Sequence, residues 1–205
     1  MLLQRIQQQF IDSADLKYQC AQAIAPAVEN AIQAVLASVT GGGKVLACGN
    51  GASAAAAQHF AASFIGRYER ERPELAALSL SADAAVLSGL ANDFDARAVY
   101  ARQVRALGQA GDVLLALSTS GNSANMLAAV EAAHEREMTV VALTGGRGGR
   151  LAQMLRDTDV QVCVPHELPA RILEVHHLVL HCICDGVDAQ LLGLPDAPIP
   201  EPENL

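Results

Sequence analysis

The 205-residue chain has no tryptophan, and aromatic residues make up only 3% of it. A platform on which successive bases stack needs several exposed rings, so single-stranded nucleic acid is excluded as a main ligand. Basic residues are in deficit as well: 14 lysines and arginines stand against 22 aspartates and glutamates, a formal net charge of −8. Binding to a phosphate backbone takes clustered cations, so a role near DNA has to run through another protein. No apolar run reaches the roughly 18 residues that a membrane span needs. The polar opening Met1-Leu-Leu-Gln-Arg-Ile-Gln-Gln-Gln9 lacks the apolar stretch of a secretory signal. The cysteines number five, an odd count in apolar surroundings without framework spacing, which fits reduced thiols. Cys182 and Cys184 point about 200° apart on a helix and read as packed core thiols. These absences lead to the expectation of a soluble, cytoplasmic protein with no direct contact to nucleic acid or membrane.

What is present is apolar. At 51% hydrophobic content the chain can bury one good core, and no break in composition divides it. A single domain over residues 1–194 is expected, followed by a flexible proline- and acid-rich tail over 195–205. Leu3, Ile6, Phe10, Ala14, Leu16, Cys20 and Ile24 recur at three- and four-residue spacing, which predicts a long amphipathic helix over 2–24. Pro26 interrupts it. A second helix follows from Ala27 to about Val39 and stops at Gly41-Gly-Gly43. This leading pair exceeds what a minimal α/β unit requires and is expected to pack against another subunit.

Beyond the glycines, short apolar strands are predicted over 44–48, 76–80, 112–117, 139–143 and 160–164. Helices are expected between them near 53–65, 82–90, 97–107, 123–135 and 149–155, with a last one over 170–192. This is the rhythm of a parallel sheet covered by helices on both faces. Ligands in such sheets bind beyond the carboxyl ends of the strands.

One of those ends carries most of the chemistry. Val113-Leu-Leu-Ala-Leu-Ser-Thr-Ser-Gly-Asn-Ser-Ala124 runs from an apolar strand into a hydroxyl-rich turn that opens a helix. Ser118, Thr119, Ser120 and Ser123 can donate hydrogen bonds, Gly121 permits close backbone approach, and the unpaired N–H groups of the helix start face the same point. A phosphorylated small molecule suits this seat; an ordinary strand-to-helix turn with a serine cap is the alternative. A second glycine turn, Cys48-Gly-Asn-Gly-Ala-Ser53, follows the first strand, and the two turns are placed to face one cleft. It lacks the third glycine of a dinucleotide fingerprint, which disfavours a nucleotide cofactor.

These two turns, together with Ala91-Asn-Asp-Phe94 and Ala142-Leu-Thr-Gly145, resemble the sugar isomerase (SIS) domain family. The resemblance extends over the whole chain and is specific to the branch that holds the phosphoheptose isomerases and the DnaA initiator-associating proteins. It implies a three-layer α/β/α sandwich with a five-stranded parallel sheet in flavodoxin-like order, preceded by two helices. It also implies a homotetramer with phosphosugar sites at subunit interfaces. Carried over by position, Asn50, Gly51, Ser53, Ser118, Thr119, Ser120 and Ser123 bind the phosphate, and Asp93 contacts sugar hydroxyls.

Isomerases of this branch add a His and a Glu four residues apart after the first glycine turn, and a Gln and a His eight apart on the last helix. Here those positions read His59, Ser63, Leu173 and His181, and the usual Asp before Arg171 is Ala170. His181 and His59 are the candidate catalytic residues. They are also what remains of the zinc site that the resemblance implies, with a Glu174–His177–His181 row as a possible replacement set; no cofactor is otherwise expected. His134, His166 and His176 read as core or interface residues. The segments Gln58–Ser63, Arg97–Leu107 and Ala170–Ile172 favour the initiator-associating proteins. The expected function is therefore a non-catalytic phosphosugar-binding protein that binds DnaA and promotes replication initiation. The alternative is a phosphoheptose isomerase that converts sedoheptulose 7-phosphate to a heptose 7-phosphate.

Overall fold

In the computed structural model, which describes residues 1–193, five strands form one parallel sheet with the order β2-β1-β3-β4-β5. The strands are β1 (Val45–Gly49), β2 (Ala77–Ser79), β3 (Val113–Ser118), β4 (Thr139–Gly145) and β5 (Val160–Val164). The helices are α1 (Leu2–Ala23), α2 (Ala25–Thr40), α3 (Ala52–Ile65), α4 (Ala84–Asp93), α5 (Val99–Leu107), α6 (Ala124–Glu135), α7 (Gly149–Ala152) and α8 (Pro169–Leu192). The expected α/β sandwich with its leading helix pair is the fold observed. The proposed tail lies outside the described residues. Among those residues no single helix is long and apolar enough to cross a membrane.

Alternation along the strands divides the core in two. Val113, Leu115 and Leu117 pack with α2, α3 and α8 on one face, and Leu114 and Ala116 pack with α5 and α6 on the other. All six residues of β3 are buried, as befits a central strand covered on both sides. The leading helices bend by 69° at Ile24, with Pro26 in the first turn of α2, where its missing N–H costs nothing. Helix boundaries differ from expectation where a carboxylate sets the cap. Asp83 Oδ1 accepts from Ala85 N at 2.9 Å and Val86 N at 3.0 Å, so α4 starts after it and not at Ala82. Asp95 accepts from Arg97 N at 2.7 Å, and a short 3₁₀ turn (Ala96–Ala98) precedes α5.

One ion pair fixes α3 against α8. Arg72 Nε donates to Asp188 Oδ1 at 2.5 Å, and the two side chains are 0% and 4% exposed. The same guanidinium donates to the carbonyls of Ser63 and Phe64, both at 2.9 Å, at the end of α3. It thereby satisfies carbonyls that a helix end leaves free. Removing one partner leaves an uncompensated buried charge. We therefore expect Asp188→Ala to cost about 3–5 kcal/mol in urea denaturation, whereas Arg67→Ala, in an exposed pair with Glu71, leaves the curve within about 0.5 kcal/mol of the wild type.

Candidate active site

Strands β1 and β3 are neighbours, yet β1 leads through α3 toward β2 and β3 leads through α6 toward β4. The chain diverges at this point, which is where open α/β sheets hold ligands. Both glycine turns meet here around a depression of about 60 Å³ walled by Asn50, Ser53, Ser118, Thr119, Ser120 and Ser123. The structure thus brings together the phosphate-binding positions expected from the sequence, with Gly51 (φ +56°) turning the chain between Asn50 and α3.

The hydroxyls are set to donate. Ser118 Oγ accepts from Gly121 N at 3.2 Å, and Ser120 Oγ accepts from Asn122 N at 3.2 Å. Each oxygen has a lone pair filled from the backbone, which leaves its O–H for a ligand. Ser123 occupies the N-cap of α6 but makes no side-chain cap bond, so its hydroxyl is also uncommitted within the helix. An anion bound there meets donors from side chains and from the helix start together.

Sequence reasoning missed the partners that brace this cup, Asn125, Tyr100 and Ser81. Asn50 and Asn125 exchange two amide hydrogen bonds, Nδ2 to Oδ1 in each direction, at 2.9 and 2.8 Å. Gly49 O accepts from Tyr100 OH at 2.5 Å and from Ser81 Oγ at 3.2 Å, which orients the first turn. Gly49 itself permits that turn, since a Cβ there would stand 2.7 Å from the Ser53 Cβ. These partners are separated by 75, 51 and 32 positions, and no local motif announces them.

Asp93 is placed elsewhere: it is exposed at the end of α4 and accepts from Asn92 Nδ2 at 2.8 Å.

The catalytic candidates form a second centre. His59 on α3 and His181 on α8 face each other with their Nε2 atoms 2.9 Å apart, one donating and the other accepting. The His177 ring lies 6.1 Å from that of His59, and Tyr68 covers His181 at 5.5 Å between ring centroids. Burial, then the neighbouring His59 and His177, push the His181 pKa below the ordinary imidazole value, and Glu69 pulls weakly the other way. A second proton on the pair would break the Nε2–Nε2 contact. Ser63, where the resemblance implies Glu, donates its hydroxyl to His59 O at 3.0 Å and lies along its own helix.

The donor set does not suit zinc. A protein zinc site takes three or four ligands, and among the described residues no group of three or more His, Cys, Asp or Glu side chains is placed to hold a metal. The Glu174–His177–His181 row is not realised: Glu174 accepts from Ser13 Oγ of α1 at 2.7 Å and pairs with Arg171, while His177 faces His59. Arg171, without an Asp before it, is held instead by Glu174 and Gln9. The remaining histidines are accounted for structurally. His134 pairs with Asp159 at 2.7 Å, His166 accepts from Leu168 N at 3.1 Å, and buried His176 donates to Thr144 O at 3.0 Å.

Comparison with known proteins adds to this geometry. Residues 9–145 match the family model described as the SIS domain. The phosphoheptose isomerase of Methylibium petroleiphilum is 61% identical over 96% of the chain and 98% of its own length. The structure of phosphoheptose isomerase GmhA from Neisseria gonorrhoeae superposes with a TM-score of 0.88 at 47% identity, covering 92% of this chain and 100% of that one. A phosphoheptose isomerase from Francisella tularensis gives 0.89 at 42% identity, covering 92% and 98%. These relatives overturn the expected assignment to the DnaA initiator-associating proteins and with it the non-catalytic, DnaA-binding function. That expectation weighed Ser63, Ala170 and Leu173 above the rest of the chain, whereas identity near full length lies with the isomerases.

The lowered pKa of His181 fixes the sign of its pH dependence. The imidazole is neutral at pH 7, and the native state loses stability as pH falls below about 6.5, where the unfolded histidine takes up a proton first. In an NMR titration His181 should titrate below the ordinary histidine value, and His59→Ala should move it upward. A midpoint at or above that value would contradict the burial and repulsion described here.

Proposed function

The chain belongs to the SIS domain family, and from that premise we propose that it is a phosphoheptose isomerase acting on sedoheptulose 7-phosphate. Support comes from the relatives that carry that name and, on the chain itself, from a donor-lined anion cup combined with a hydrogen-bonded imidazole pair in which His181 is biased toward its neutral, basic form. The second observation carries the reading. Interconverting ketose and aldose moves a proton between the first two carbons through an enediol, which needs a base at carbon and a donor at the neighbouring oxygen.

In this reading Ser118, Thr119, Ser120 and Ser123, with Asn50, Gly51 and Ser53, grip the phosphate and fix the sugar's reach. Neutral His181 takes the proton from carbon, and His59, hydrogen-bonded to it, selects its tautomer and shares the proton. Glu69, the carboxylate acting on His181, favours the imidazolium that forms.

In this reading the site is completed at a subunit interface, with cup and pair drawn from different protomers. Ser53 and His59 share α3 but are six residues apart, about 9 Å along the axis and two-thirds of a turn around it. Neither histidine lines the cup. Leu3, Phe10 and Tyr18 on α1 are 67%, 76% and 74% exposed, an apolar face suited to a second copy in a homotetramer. The five free cysteines fit a reducing compartment such as the cytoplasm.

Turnover of sedoheptulose 7-phosphate by the purified protein tests the reading. His181→Asn should lower kcat by about two to four powers of ten, and Ser120→Ala should raise KM by about tenfold or more, as expected for a hydrogen bond to a charged group. Absence of turnover in the wild type, with and without added zinc, would overturn the assignment. Co-assembled His181→Asn and Ser120→Ala chains should regain part of the activity, because some sites then draw an intact cup from a His181→Asn chain and an intact histidine pair from a Ser120→Ala chain. A failure to complement would place each site within one chain.

A further inference from the structure

The hydroxyl turn is not held by its own bonds alone. It is pressed against the loop that follows β4. A Cβ on Gly121 (φ +64°) would stand 1.9 Å from Gly148 O, and one on Gly149 (φ +61°) would stand 2.3 Å from Ser120 O. Leu151 N donates to Gly121 O at 2.9 Å across the same contact.

Asn122 locks the two segments together. Its Nδ2 donates to Ser120 O at 2.9 Å, and its Oδ1 accepts from Arg150 N at 3.0 Å. The side chain does not line the phosphate cup. It lines instead a neighbouring cavity of about 340 Å³, together with Thr119, Ser120, Arg147 and Ile172. Asn122 therefore acts on a bound phosphate only through the backbone it holds.

We infer that Asn122 is a positioning residue that keeps the Ser120 carbonyl out of the anion seat. In a planar trans peptide the Ser120 carbonyl and the Gly121 N–H point in opposite directions. At present the carbonyl faces Asn122 and the N–H faces Ser118, with Gly121 N donating to Ser118 O at 3.1 Å. The glycine leaves this peptide free to rotate at little steric cost. Without the amide clamp, rotation brings a carbonyl oxygen toward the phosphate and withdraws the N–H that seats Ser118 Oγ. A donor site then becomes one that repels its ligand. The inference rests on the reading of the cup as a phosphate site and adds a residue that no contact with substrate would reveal.

Calorimetric titration of the full-length protein with inorganic phosphate and with sedoheptulose 7-phosphate, alongside steady-state kinetics, tests this. Asn122→Ala should weaken both ligands about tenfold and raise KM similarly, with kcat within about threefold of the wild type. Gly149→Ala, which intrudes on the same contact from the opposite side, should shift binding in the same direction. Unchanged phosphate affinity in Asn122→Ala, or a loss confined to kcat, would overturn the positioning role while leaving the cup intact. Failure of the wild type to bind either ligand would instead remove the cup reading, and this inference with it.

Discussion

Because β1 and β3 pair side by side while their helices leave for opposite faces of the sheet, two helix starts and two glycine turns are forced toward one point. Everything chemical in the molecule follows from that divergence. A parallel sheet aligns its strand ends, so the registration of Gly49 with Leu117 puts Asn50 and Ser118 at the same height above the sheet. The full burial of β1 and β3 leaves them no freedom to slip, since a shift of one residue would turn apolar side chains from one packed face to the other. Burial in the core thus sets the position of polar groups outside it.

The same core fixes the histidine pair. α3 and α8 lie on the same face of the sheet, packed through Phe60, Phe64, Val179, Leu180 and Ile183. Their exposed edges carry His59 and His181 into contact. The buried Arg72–Asp188 pair stands at the end of α3 and ties it to the last turns of α8. This is an expensive way to join two helices, because both charges must leave water. It does supply direction, which apolar packing does not. Two rings that must meet at 2.9 Å need such a constraint.

Much of this was legible in the sequence, for identifiable reasons. Strands such as 113–118 announce themselves as apolar runs bounded by glycine and hydroxyl turns, and the helices between them by their three- and four-residue spacing. That the cup residues wall one depression was legible because chain-local chemistry, a serine cluster at a helix start beside a glycine turn, sets them apart. Ends set by a capping carboxylate were misplaced by a few residues, as at Asp83 and Asp95, since a cap and an exposed polar residue look alike in sequence. Asn50–Asn125, Tyr100–Gly49 and Asn122–Arg150 were invisible because each joins elements that only the fold brings together. The branch of the family was not legible from Ser63, Ala170, Leu173 and a few short segments, because the likeness that identifies it spans the chain.

On the proposed isomerase reading those altered positions nevertheless have a physical meaning. A carboxylate beside His59 would stabilise positive charge in this cluster. With Ser63 turned back onto its own helix and Leu173 apolar, His181 is governed instead by burial and by the neighbouring His59 and His177, and both favour its neutral form. A neutral imidazole is a competent base near pH 7, but the imidazolium it becomes needs a counter-charge. Glu69 lies beyond Tyr68, whose ring covers His181, and it acts weakly on that residue from an exposed position. The burden of stabilising the transition state therefore falls on groups other than the one that removes the proton, and first on the phosphate grip. Binding energy from the remote end of the substrate can hold the reacting carbons against the base. A cup whose hydroxyls and N–H groups are already aimed before the ligand arrives is suited to supply it.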